Sequence, residues 1–348
     1  MDYIYLKRLI EAPSPSGSEE EALKVFSDIM PKTYTGTYKD KMGNTAFIYG
    51  HGPKRLLLSA HIDEVQARVS HISDDGILSL MNTGGICKKS LISSKVQVIN
   101  DYGECFEGIV EKTPIHCEKE DERNEVGDFE KIKVNIGCET KSEVECHNIH
   151  PGSIVVYKRD YNLNFGNHQM YGNAFDDKIG VFICEKIISL LHENQEVLDN
   201  YTIIVLAATQ EETGLRGATV AAKNLNPDIS IDFDVTFATD GGGSVDKEKY
   251  GEVKLGKGGV IQFGPDKSQG LNVALADFAR RQDIPFQYGV SRAGGTNTDA
   301  IQLNSNDCET TLISIPNRNM HTPVEVVDKR DVESIIKLVS EAIKYNII

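Results

Sequence analysis

The stretch YTIIVLAATQEETGLRGA, residues 201–218, joins an apolar run to a pair of acidic residues. The run TIIVLAA is typical of a strand buried on both faces, and Gly214 and Gly217 follow it before the next helical pattern. Glu211 and Glu212 stand side by side where the strand ends. Adjacent carboxylates repel each other and lose solvation on burial, so this position requires a compensating interaction.

The alternation of strand and helix patterns continues on both sides of this stretch. Residues 55–65, RLLLSAHIDEV, form another nearly all-apolar strand, and residues 44–50, NTAFIYG, read as its neighbour. Residues 175–194 predict a turn followed by an amphipathic helix, and residues 330–347 predict the closing helix. Alternating strands and helices predict an α/β fold with a doubly wound mixed sheet.

The secondary-structure pattern predicted by the sequence changes in the middle of the chain. Between residues 66 and 165, short β-type runs alternate with turn residues and charges. We therefore expect an inserted small all-β domain at 66–165, hosted by an α/β catalytic domain made of 1–65 plus 166–348. A charged loop at 118–131 lies inside the insertion.

Composition excludes several classes of protein. The chain has 348 residues, a formal net charge of −15 and 40% hydrophobic residues, which argues against nucleic acid or an anionic membrane as partner. No signal-peptide pattern and no run long enough for a membrane helix is present. The seven cysteines include no CxxC pair, as expected of reduced thiols, so we expect a cytoplasmic protein.

Acidic and histidine side chains recur where the predicted strands end or helices begin. In an open α/β sheet, binding sites form at the carboxyl ends of the strands. The residues at these positions are His61, Asp63, Asp176, Asp177, Glu211, Glu212, Asp234, Asp240 and His321. One such residue has little meaning, whereas this many at separate strand ends indicate a shared site.

Two histidines with several carboxylates are the ligands of a pair of divalent metal ions. Mixed nitrogen and oxygen ligation suits Zn²⁺ or Co²⁺, and Mn²⁺ is compatible with it. The ligands that supply the required number are His61, Asp176, Glu212, Asp234 and His321. Asp63 lies two residues from His61 on the same strand face, where it could accept the second imidazole N–H.

Metal charge is also the compensation that the paired glutamates require. One of them can bind metal and stay ionised, while its neighbour deprotonates the attacking water. We assign Glu212 as the ligand and Glu211 as the general base. The residues alone leave open whether Asp234 or Asp240 is the ligand from its strand.

Seven motifs occur together in an order that resembles a known family. They are HIDE (61–64), NAFDDKIG (173–180), QEETGLRGA (210–218), FDVTFATD (233–240), LGKGG (255–259), AGGTNTDA (293–300) and NMHTPVEVVD (319–328). In this order and spacing they resemble the tetrahedral (TET) metallo-aminopeptidases. That family includes glutamyl and deblocking aminopeptidases, and members once labelled cellulase M or endoglucanase.

The resemblance implies a role for each matching residue. Asp176 would bridge two metal ions. His61 and Asp234, rather than Asp240, would complete one ion, and Glu212 and His321 the other. Glu211 would be the base, with Asp63 supporting His61. The implied fold is a phosphorylase/hydrolase-like zinc-peptidase domain, and the implied substrates are short peptides with a free N-terminus.

The resemblance also implies homo-oligomers, in which dimers build hollow dodecamers through contacts of the β insertion. Residues 84–89 and 111–116 match the insertion motifs of relatives only loosely, which bears on assembly and substrate access rather than on chemistry. A carboxypeptidase or amide deacylase on the same scaffold is the first alternative function. A glycoside hydrolase is the second alternative, but its mechanism needs two carboxyl groups and no metal, whereas the acids here occur with two histidines. A metal-binding but inactive assembly protein is the third, and the presence of Glu211 argues against it.

Several neighbouring residues have ordinary explanations. Asp177 is interpreted as the N-cap of the following helix, and Asp240 as part of a turn or a more distant support of the site. Residues 294–296 either line the substrate cleft or form a tight loop. The spacing of Cys138, Cys146, His147 and His150 fits no standard zinc finger. Ser16 and Ser18 are interpreted as N-caps of an early helix.

Overall fold

The computed structural model describes residues 1–118, 127–243, 245–292 and 295–348. Most of the charged loop at 118–131 and Gly294 of the predicted cleft lining lie outside the described residues. The strands are β1 Gly36–Lys39, β2 Thr45–Tyr49, β3 Lys54–His61, β4 Ala67–Ile72, β5 Leu78–Asn82, β6 Lys95–Ile99, β7 Cys105–Val110, β8 Lys133–Asn135, β9 Ile154–Tyr157, β10 Tyr161–Phe165, β11 Gln169–Gly172, β12 Tyr201–Ala208, β13 Ile229–Phe237, β14 Gly259–Phe263, β15 Phe286–Val290, β16 Glu309–Asn317 and β17 Glu325–Asp328.

The α-helices are α1 Ile4–Glu11, α2 Glu20–Ile29, α3 Lys88–Leu91, α4 Lys141–Cys146, α5 Phe175–Leu191, α6 Gln195–Asn200, α7 Arg216–Leu225, α8 Lys247–Tyr250, α9 Gln269–Arg281, α10 Asn297–Asn304 and α11 Lys329–Lys344. Two short 3₁₀ helices span Ile115–Cys117 and Phe129–Lys131. No helix within the described ranges combines the length and the apolar character needed to cross a bilayer.

The first compact unit comprises Met1–Glu64, Tyr161–Met320 and Val324–Ile348. Its main sheet has eight strands in the order β1-β2-β12-β3-β13-β16-β14-β15. The four central strands β12, β3, β13 and β16 run parallel, whereas β2 and β14 pair antiparallel with their neighbours in this set. The predicted α/β fold with a doubly wound mixed sheet is confirmed.

The apolar run of β3 is explained by helices on both faces of the sheet. Leu56 and Leu58 belong to the core cluster that contains α5 and α11, whereas Leu57 belongs to the cluster that contains α7 and α10. Successive strand residues point to opposite faces, so a strand covered on both sides is apolar at every position.

Two details of the sequence interpretation are wrong. β2 and β3 are not neighbours, because β12 lies between them and pairs with both. Helix α5 is not amphipathic, because nearly all of its residues are buried. The helix packs against β3 and β13 on one side and against α1 and α11 on the other. An apolar stripe is therefore not needed, since the helix has no broad solvent face.

The second compact unit comprises Val65–Asp160 together with His321–Pro323. Its strands form a closed barrel in the order β4-β5-β8-β7-β6-β9 around its own apolar core, so the predicted all-β insertion is present. Strand β10, which the sequence interpretation placed inside 66–165, instead pairs with β11 in a three-stranded sheet of the first unit. The roles expected of the insertion in assembly and substrate access stay predictions.

A buried lysine ties the N-terminal segment to the start of α5. Lys178 is 0% exposed, and its ammonium group donates to the carbonyl oxygen of Ala12 at 2.7 Å. It also lies 3.6 Å from Oε1 of Glu64, an oxygen that accepts the backbone N–H of Ser14 at 2.8 Å. A buried charge pair of this kind is costly to break, because the remaining charge loses its counter-ion.

We predict that Lys178→Met destabilises the first unit by about 3–5 kcal/mol, because the buried Glu64 carboxylate loses the cation that faces it. Urea unfolding followed by circular dichroism measures the change. Lys24→Met is the matched control, since Lys24 pairs with Glu21 at the surface, where ion pairs contribute little to stability. Equal unfolding midpoints for the two variants would contradict the structural role of Lys178.

Candidate metal centre

The parallel strands bring several predicted site residues to one edge of the sheet. β3 ends at His61, whose register partner on β12 is Ala208, three residues before Glu211. On the other side of β3, Ser59 pairs with Asp232 of β13, so Asp234 lies level with His61. The N-terminal end of α5 contributes Asp176 to the same edge.

The side chains at this edge lie within reach of a shared metal ion. His61 is 1% exposed, and its Nε2 lies 2.9 Å from Oδ1 of Asp176 and 4.0 Å from Oδ1 of Asp234. Two overlapping groups each have their ligand atoms within 4.8 Å of one another: His61 with Asp176 and Glu212, and His61 with Asp177 and Asp234. The structure therefore clusters four of the five predicted ligands.

Burial makes this concentration of negative charge unfavourable in the protein alone. It raises the pKa of Glu211 and of Asp234 well above the usual values, and neighbouring carboxylates raise both further while His61 opposes them. For His61, burial lowers the pKa, but hydrogen bonds to Asp176 and Asp63 outweigh it and leave the pKa well above its usual value. Ionised carboxylates at this position thus need a cation beside them.

The donor set fits divalent metal ions of the zinc type. An imidazole nitrogen and several carboxylate oxygens converge, which is the mixed ligation that zinc, cobalt and manganese share. Asp177 is completely buried, and its Oδ2 is without a hydrogen-bond partner among the described residues. A buried carboxylate oxygen in that situation is satisfied by a nearby cation.

Asp63 contacts His61 and also holds the turn that carries the paired glutamates. The atom closest to Nδ1 of His61 is the backbone carbonyl oxygen of Asp63, at 3.1 Å, whereas the carboxylate oxygen is 3.5 Å away. The Asp63 carboxylate instead accepts the backbone N–H groups of Glu211 at 2.9 Å and Glu212 at 3.1 Å. It also accepts the hydroxyl of Ser16 at 2.6 Å, so Ser16 does not cap a helix.

Sequence reasoning missed two buried glutamates that hold the backbone around the site. Oε2 of Glu325 accepts the backbone N–H of Asp176 at 3.0 Å, and Oε1 of Glu19 accepts that of Gln210 at 3.2 Å. Glu325 belongs to a motif that carried the family resemblance, but that resemblance assigned it no role. Local spacing could not have found either contact, since the partners are 149 and 191 residues apart in the chain.

His321 is described with the second unit, where it is held by the loop at 84–87. Its backbone has a positive φ of 62°, and its carbonyl oxygen accepts the N–H of Cys87 at 3.2 Å. Nδ1 of the imidazole donates to the carbonyl oxygen of Gly85 at 2.9 Å. This hydrogen bond puts the proton on Nδ1, so that Nε2 carries the lone pair, as in many metal-binding histidines.

The remaining sequence interpretations have specific outcomes. Asp177 has non-helical backbone angles within α5, and it accepts the N–H of Gly180 at 3.1 Å, so it caps the part of the helix that continues after it, as predicted. Asp240 binds the Arg318 guanidinium at 2.7 Å and accepts the N–H of Leu255. These contacts hold two neighbouring loops together. The N–H groups of Gly256 and Gly258 in the LGKGG motif bind the Asp331 carboxylate rather than a phosphate. In the described part of the chain, every group of three or more candidate metal ligands contains His61.

Comparison with known proteins identifies the family. The sequence pattern of the M42 glutamyl aminopeptidases matches residues 43–338. The chain is 32% identical to the lysyl aminopeptidase of Pyrococcus furiosus, over 97% of this chain and 95% of that protein. The chain belongs to the M42 glutamyl aminopeptidase family. It is therefore a metal-dependent aminopeptidase, a hydrolase of peptide bonds.

Solved structures of M42-type peptidases share the whole architecture. A TET aminopeptidase from a marine sediment archaeon of the Thaumarchaeota is 29% identical, with a TM-score of 0.88, over 98% of this chain and 95% of that chain. The TET1 peptidase of Pyrococcus horikoshii is 27% identical, with a TM-score of 0.84, over 97% of both chains. The predicted resemblance to the TET aminopeptidases is thus confirmed over nearly the full length of the chain.

Proposed function

We propose that this aminopeptidase works with two divalent metal ions in each subunit. The ligands would be His61, Asp176, Glu212, Asp234 and His321, with Asp176 bridging the ions. The clustering of buried carboxylates around Nε2 of His61 is the observation that carries this proposal. Asp176 is preferred to Asp177 as the bridge, because Asp176 lies in the same group of candidate ligands as His61 and Glu212, which would bind different ions.

The residues of the chain would have separate roles in the reaction. When bound, the ions supply Lewis acidity that polarises the scissile carbonyl group and lowers the pKa of a water molecule. The Glu211 carboxylate accepts a proton from the attacking water and passes it to the leaving amine. Glu211 suits this role because it is largely buried beside the cluster and its own pKa is raised by burial. The Asp63 carboxylate fixes the backbone from which Glu211 projects.

The substrates would be short peptides with a free N-terminal amine, and the metal would be zinc or cobalt, with manganese as the alternative. We also propose that the chain forms homo-oligomers, with dimers as the basic unit and a tetrahedral dodecamer as the larger assembly. The TET1 peptidase of Pyrococcus horikoshii assembles into a tetrahedron or a large octahedral shell, which supports this view. Contacts of the Val65–Asp160 barrel would contribute to assembly, in a cytoplasmic enzyme with reduced cysteines.

We predict that a chelator abolishes hydrolysis of aminoacyl-nitroanilides and that Co²⁺ or Zn²⁺ restores it, because the ions generate the nucleophile. The rate is measured together with metal content by elemental analysis. A tripeptide with an acetylated N-terminus is the matched substrate, and it should not be cleaved. Cleavage of that peptide would indicate a carboxypeptidase or deacylase, and full activity of the metal-free protein would contradict the mechanism.

The adjacent glutamates should respond differently to the same substitution. Glu211→Gln removes only the proton acceptor, so kcat should fall at least about 100-fold while both metal ions stay bound. KM should change little, because contacts with the substrate survive. Glu212→Gln removes an anionic ligand, so one ion should bind more weakly and activity should partly recover in excess metal.

Elemental analysis and rate as a function of metal concentration distinguish the two variants. Glu193→Gln is the control, since Glu193 is exposed and lies just beyond the end of α5 opposite Asp176. Loss of a metal ion in Glu211→Gln with two ions retained in Glu212→Gln would reverse the assigned roles. Full activity in both variants would remove the glutamate pair from the catalytic centre.

A further inference from the structure

The turn that follows β12 has an unusual backbone for the residues it contains. Gln210 has a φ of +54°, in the left-handed region that non-glycine residues rarely adopt. Its N–H and those of the next two residues are consecutive, and all three donate to buried carboxylates. The Gln210 N–H goes to Glu19, and the Glu211 and Glu212 N–H groups go to Asp63. Such a run of N–H groups is an anion-binding nest.

The Glu19 carboxylate has no helix-capping role that would explain its burial. Glu19 stands at the N-cap position of α2, but its side chain caps no N–H of that helix. It is 3% exposed, and Oε1 turns back to accept the N–H of Gly17 at 2.7 Å as well as that of Gln210. A carboxylate that is costly to bury is thus used to connect the start of α2 to the turn that carries the glutamate pair.

We propose that Glu19 is a positioning residue for the reaction, which holds Gln210 in its left-handed conformation and thereby sets the direction of the Glu211 and Glu212 side chains. This inference rests on the proposed function, since the roles of those two glutamates are assigned there. Asp63 holds the same turn, but its carboxylate also lies 3.5 Å from Nδ1 of His61. The contacts of Glu19 described above are with backbone N–H groups, so its substitution tests the turn without removing a metal ligand.

The chemistry of the contact determines which substitution is conservative. Burial raises the pKa of Glu19 to about 8, although the hydrogen bonds from Gly17 and Gln210 oppose that shift. Glutamine has nearly the same shape as glutamate and is therefore the conservative substitution. Glutamine keeps an oxygen that can accept the Gln210 N–H, whereas alanine leaves that N–H without an acceptor.

The test compares Glu19→Ala, Glu19→Gln and the control Glu20→Ala in the full-length, Co²⁺-loaded enzyme. Glu20 is exposed in the first turn of the same helix. Hydrogen–deuterium exchange with mass spectrometry measures protection of the backbone N–H groups in residues 209–213 and, separately, in residues 22–29 of α2. Steady-state kinetics give kcat and KM, and elemental analysis gives the cobalt content.

We expect Glu19→Ala to speed exchange at 209–213 at least about tenfold, with α2 unchanged, while Glu19→Gln and Glu20→Ala stay near wild type. In Glu19→Ala, kcat should fall about 10–100-fold at nearly constant KM, as for other residues that orient a metal site from behind its ligands. If the alanine variant does not fold, Glu19→Leu fills the same volume without an acceptor. The inference is overturned if Glu19→Ala leaves exchange at 209–213 unchanged, or if protection is lost equally throughout α2. If the expected exchange changes occur but the wild-type protein has no aminopeptidase activity, only the proposed function is rejected.

Discussion

The structure depends on burying several carboxylates around one imidazole. Asp176, Glu211 and Asp234 lie with His61 at the edge of the central parallel strands, where water is largely excluded. The raised pKa values of Glu211 and Asp234 express the cost of ionising these carboxylates together. When cations are bound, the same carboxylates remain ionised and bind the cations strongly. Divalent metal ions bound at this edge would relieve the charge imbalance and leave the carboxylates ionised.

A second layer of buried carboxylates explains how the cluster keeps its geometry. Asp63 and Glu325 accept the backbone N–H groups of Glu211, Glu212 and Asp176, and Glu19 accepts that of Gln210, just before the glutamate pair. Each of these acids thus holds a segment of backbone next to the site through N–H donors, which are not metal ligands. The geometry of the site therefore depends on how the backbone is held as well as on the ligand side chains.

Local signals in the sequence indicated which side chains would lie near one another, but not the order of the strands in the sheet. The apolar run of β12 and the paired glutamates after it are local signals, and parallel strands bring such ends together by a general rule. The place of β12 between β2 and β3 depends on contacts between distant segments, which local periodicity does not record. For the same reason nothing local in the sequence indicates that the Glu19 side chain binds a turn 191 residues away.

The central claim is that two metal ions provide the charge that this cluster lacks. Anomalous diffraction at the zinc absorption edge, from crystals of the zinc-loaded protein, tests it most directly. The account predicts two peaks about 3.5–4 Å apart, with the Asp176 carboxylate between them and His61 and Glu212 on different ions. A single peak, or two peaks bridged by Asp177 with no contact to Asp176, would contradict it.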